Sequence, residues 1–144
     1  MAENILKGRA EIPNREWVEF EAVVTDGKVG KLTFKAQGCF QLIEAARKVL
    51  GLNGTEIQNL VWTGLNHWDL LIAEAIDRLT GRYKFPNLEL ELCHCRCIPT
   101  AKVDQAIILG AHTVEKVREW TSANTACGTC RPEVEKLIDF RLKR

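Results

Sequence analysis

Five of the chain's six cysteines stand in two short stretches, CHCRC (93–97) and CGTC (127–130). Cysteines at such spacing hold metals or do redox chemistry. With Cys93 and Cys95 as the first pair the pattern is C-x-C, 31 residues, C-x-x-C. Cys95 and Cys97 have the same spacing, so one of the three is a bystander. Each group stands just before an expected helix start, CHCRCIPTAKVDQAI in one case and CGTCRPEVEKLI in the other. Amides at a helix N-terminus favour thiolates and other anionic centres. Arg96 and Arg131 add positive charge, and Gly128 leaves room for a backbone N–H to approach a sulfur.

Four thiolates can hold a [2Fe–2S] cluster, a [4Fe–4S] cluster or Zn²⁺, and spacing alone does not choose among them. Zinc ribbons favour C-x₂₋₄-C at both ends, so the tight C-x-C counts against zinc. Lys plus Arg total 20 and Asp plus Glu 19 in the 144 residues, which gives no electrostatic case for nucleic acid or an anionic membrane. No apolar run approaches the roughly 20 residues that cross a bilayer. MAENILKGRAEIPNRE lacks the apolar core of a signal peptide. The expected location is therefore the cytoplasm, where closely spaced cysteines read as metal ligands or redox centres rather than disulfides.

The elements that must position these thiols begin with an α+β front half. VEFEAVV (18–24) places Val18, Phe20, Ala22 and Val24 on one face and Glu19 and Glu21 on the other. KLTFKA (31–36) alternates again, and Asp26-Gly27 between the two runs predicts a hairpin. FQLIEAARKVLG follows as a helix, with Leu42, Ile43, Ala46, Val49 and Leu50 at helical spacing and Gly51 as its stop. A second helix runs from Asn66 as N-cap to Gly81, with Trp68, Leu71, Ile72, Ala75 and Leu79 on its apolar stripe. Trp17, Trp62 and Trp68 are expected in the core. RYKFPNLELEL (82–92) reads as a linker. Beyond it, one helix starts near Pro99 or Thr100 and ends at Gly110, another has Thr113 as N-cap, and a third has Pro132 at its first position.

Residues 93–142 resemble the bacterioferritin-associated ferredoxin (BFD) domain, the module that also forms the central [2Fe–2S] domain of NifU. The residues that carry the resemblance are Cys93-His94-Cys95 and AIILGAHTVEKVREWTSANTACGTC, in register without a gap. It implies that Cys93, Cys95, Cys127 and Cys130 ligate one [2Fe–2S] cluster in a small all-helical helix–turn–helix domain. In this register Cys97 falls where the family usually has Gly and Pro99 where it usually has Thr. Cys97 is then the bystander, expected to pack as a small buried hydrophobe, and His94 faces outward.

The front half resembles the IscU scaffold that precedes the ferredoxin domain in NifU. KLTFKAQGCFQLIEAARKVLGLNGTEI is similar to the segment in which a strand leads through Phe-Gly-Cys into a helix. LNHWDLLIAEAI is similar to the Leu-His-Cys-Ser helix start. Of the three scaffold cysteines only Cys39 is matched; the early Ala-Cys-Gly-Asp segment is absent and Trp68 replaces the third. Transient cluster assembly is therefore not expected. Cys39 reads as a half-buried residue at a strand–helix junction, and His67 as a helix-start residue.

The expected architecture is an α+β IscU-like domain over residues 1–85, a β-hairpin or sheet with helices, followed by a BFD-like domain over 86–144. No Ser–His–Asp set, phosphate loop or carboxylate pair stands out, so no enzyme activity is expected. The expected function is single-electron transfer, or an accessory role in iron–sulfur cluster or iron metabolism. Its partner is a redox protein (a flavoprotein reductase or an iron–sulfur client) or a cysteine desulfurase. The rival is a zinc-stapled interaction module with no redox role, whose folding would depend on the metal.

Overall fold

Two alternating runs joined by Asp26-Gly27 fold as a hairpin, and a third strand precedes them. The computed structural model describes residues 3–86, 89–94, 96–123, 128 and 130–143. Strands β1 (Glu3–Ile12), β2 (Glu16–Thr25) and β3 (Lys28–Gln37) form an antiparallel sheet in the order β1-β2-β3. Asp26 and Gly27 both have positive φ, 52° and 76°. A two-residue hairpin loop requires this, and Asp-Gly supplies it at low cost. Val18, Phe20, Ala22 and Val24 are buried, while Glu19 and Glu21 lie on the opposite face.

Strand β1 has a weak signature because its inward residues include Gly8 and Ala10, small enough to blur the alternation against Lys7, Arg9 and Glu11. Gly8 has a packing reason. A Cβ there would overlap the carbonyl of Ala75 and the backbone of Leu79, on the helix that crosses the sheet at this point.

Helix α1 (Phe40–Val49) buries Leu42, Ala45, Ala46 and Val49. It ends at Val49 in a 3₁₀ turn over Leu50–Leu52, so Gly51 lies within that turn and is not the helix stop. Helix α2 (His67–Thr80) buries Leu71, Ile72, Ala75 and Leu79 of the expected stripe; Trp68 is half-buried. The tryptophans do not fill the core. Trp17 lies on the sheet's outer face under the Arg9 guanidinium, 4.3 Å from its ring centroid, and Trp62 is half-buried with Nε1 donating to Asp69 at 3.0 Å. Strand parity decides this for Trp17, since its neighbours Val18 and Phe20 take the inner face. The inner volume goes to Phe20, Leu42, Leu60 and Leu71. Arg82 closes the loop before α2 by donating to the carbonyls of Gln58 and Leu60.

The chain divides into two compact units, Met1–Gly64 with Trp68–Tyr83, and Leu65–His67 with Lys84–Arg144. The second contains α3 (Thr100–Leu109), α4 (Val114–Thr121) and α5 (Arg131–Leu142). It is not all-helical. β4 (Glu91–Cys93) pairs antiparallel with β5 (Ile98–Pro99), so the end of the segment read as a linker is structured. Thr100 fixes this hairpin to α3, its N–H donating to the Leu90 carbonyl at 2.8 Å and its hydroxyl to the Glu89 carbonyl at 2.7 Å.

The helix boundaries follow the local signals. α3 stops at Gly110, whose φ is 129°. Thr113 caps α4 by accepting from the Lys116 amide at 3.2 Å. α5 starts one residue before Pro132. Among the described residues no helix is long and apolar enough to cross a membrane.

Helix α5 is anchored at its far end. Arg141 makes a two-pronged bond to Asp104 on α3, at 2.7 and 2.6 Å, and Phe85 meets Phe140 edge-on beside it. The Arg141 side chain is 5% exposed and that of Asp104 15%. Removing one partner of such a pair leaves a buried charge and costs about 3–5 kcal/mol. Asp104→Ala should lower hydrogen-exchange protection of the α5 amides by about a hundredfold, which is about 3 kcal/mol. Unchanged protection would show that the pair does not hold the helix.

Candidate metal centre

Within the second unit the described thiols of the expected ligand set are buried in one apolar core. Leu92 and Cys93 end β4 inside it, with Cys93 2% exposed. Ile98, Val103 and Ile107 belong to the same core, as do Val134 and Leu137 of α5. Cys130 belongs to it too, 8% exposed. Cys95 and Cys127 lie outside the described residues.

The two described thiols reach this core by different routes. Cys130 is the N-cap of α5, its carbonyl accepting from the Val134 amide at 3.0 Å as the helix begins. Two residues earlier Gly128 has φ 72°, and its carbonyl accepts from the Arg131 amide at 3.2 Å. The helix dipole at this start favours negative charge. Cys93 does not sit at a helix start. It ends a strand, and the β4–β5 hairpin separates it from α3.

The intervening side chains are on the surface. His94 is 68% exposed and lies between two carboxylates, with Nε2 3.2 Å from Glu89 and Nδ1 3.4 Å from Glu91. Arg131 pairs along its own helix with Glu135 at 3.0 Å and reaches Glu115 at 3.9 Å.

Cys97 departs from expectation because it is exposed rather than buried. Its φ is 54°, the left-handed region that favours glycine, which accounts for Gly being usual here in the family the segment resembles. The thiol donates to the His94 carbonyl at 3.8 Å, and the nearby Glu91 carboxylate pushes the Cys97 pKa above its ordinary value.

Cys39 is the N-cap of α1, half-buried at the strand–helix junction as expected. Its backbone N–H donates to Glu16 Oε1 at 3.0 Å, so a carboxylate from β2 satisfies the start of α1. Glu16 is 7% exposed and lies over Gly38, where a Cβ would meet its Cγ. The sequence reading passed over Glu16, although its parity with Val18 and Phe20 places it on the inner face.

Two thiols buried in one core, one at a helix N-terminus after a left-handed glycine, form a donor set suited to a thiolate-ligated centre. Residues 92–139 match the family model of the BFD-like [2Fe-2S] binding domain. The match supports iron–sulfur binding by this part of the chain. No curated protein matches the chain.

The influence of Glu91 on Cys97 can be read chemically. Thiolate is the form that alkylates, so Cys97 should react slowly with iodoacetamide at pH 8 and keep accelerating above pH 9.0. Glu91→Gln removes the charge and should speed alkylation of Cys97 severalfold at pH 8, measured by peptide mass spectrometry. Equal rates in the two proteins would remove Glu91 as the cause.

Proposed function

We propose that the chain is a small iron–sulfur protein whose residues Cys93, Cys95, Cys127 and Cys130 hold one [2Fe–2S] cluster, and that it moves single electrons or serves iron–sulfur or iron metabolism. The observation that carries this reading is the match of residues 92–139 to the BFD-like domain. The burial of Cys93 and Cys130 in one core supports it. When bound, such a cluster supplies a one-electron couple.

The chain's own residues set the conditions for that couple. Thiols at positions 93 and 130 come from a strand end and from the start of α5, the helix that Arg141 and Asp104 tie to α3. Leu92, Ile98, Val103 and Val134 supply an apolar shell that limits water, and solvent access is one determinant of reduction potential. This work requires no catalytic side chain. The rival is the zinc-stapled module, which would use the same four thiols.

Its partner on this reading is a flavoprotein reductase, an iron–sulfur client or a cysteine desulfurase. The desulfurase would be recognised by residues 1–85, whose sequence resembles an assembly scaffold but lacks two of its three cysteines. The test of that branch is capture of a cysteine desulfurase by the full chain from its native host. Loss of capture when surface residues of the front domain are changed supports it, and no capture under reducing conditions removes it.

The ligand assignment is tested by substitution. Ser in place of Cys93, Cys95, Cys127 or Cys130 should bleach or strongly destabilise the colour of the anaerobically purified protein, while Cys97→Ser should leave it coloured. A bleached Cys97→Ser beside a coloured Cys93→Ser would shift the first pair to Cys95 and Cys97.

A further inference from the structure

We draw no further inference here: the strongest candidate, the group of possible metal ligands Glu16, Cys39 and His67 at the starts of β2, α1 and α2, takes its cysteine and histidine from the two segments that resemble the assembly scaffold and so restates that family's own metal site, and its histidine belongs to the other unit.

Discussion

A thiolate in an apolar core is costly unless dipoles or a cation face it, and a metal-ligating Cys130 would be subject to that constraint. Cys130 is buried among Val134, Leu137 and their neighbours, yet it stands at the start of α5, where backbone N–H groups offset negative charge. The helix can serve this purpose only if its N-terminus is held in place. Its apolar face packs into the core, and its last turn is tied by the pair Arg141–Asp104 to α3. Arg141 also lies over the rings of Phe85 and Phe140, 5.9 and 5.4 Å from their centroids, so the stem that follows the front half is drawn into the same anchor.

At Cys93 the local arrangement differs. Cys93 sits on a short strand, and the following turn returns the chain through Cys97 in a left-handed conformation before β5 and α3. The turn presents His94 and Cys97 to solvent, with Glu91 against the His94 ring and the Cys97 thiol donating to the His94 carbonyl. Cys93 and Cys97, close in sequence, thus occupy unlike environments, a buried strand end and an exposed turn. That difference follows from backbone direction, because residues on the two limbs of a hairpin and in its turn face different ways.

Much of the helical part was legible because its signals are local. Thr113 accepts from the amide three residues on, Gly110 takes a positive φ, and Pro132 marks a helix start wherever they occur. The Asp26-Gly27 hairpin was legible for the same reason. What escaped depends on distant partners. β1 is recognisable only through the register that sets Gly8 against Phe20 and through the helix backbone that makes glycine necessary there. β4 and β5 span too few residues to show a period, and their stability comes from the Thr100 bonds to Glu89 and Leu90. Size misled the reading of Trp17, whose face is decided by strand parity. At the candidate centre the cysteine spacing was visible, but the exposure of Cys97 was not, since it is a property of one φ angle.

The central claim is that the four thiols hold two irons and two sulfides rather than one zinc. Iron, zinc and acid-labile sulfide should be measured on one sample of the full chain purified without oxygen, alongside its visible spectrum. A red-brown protein with about two irons and two sulfides per chain is the predicted result. A colourless protein carrying about one zinc per chain and no sulfide would contradict the account.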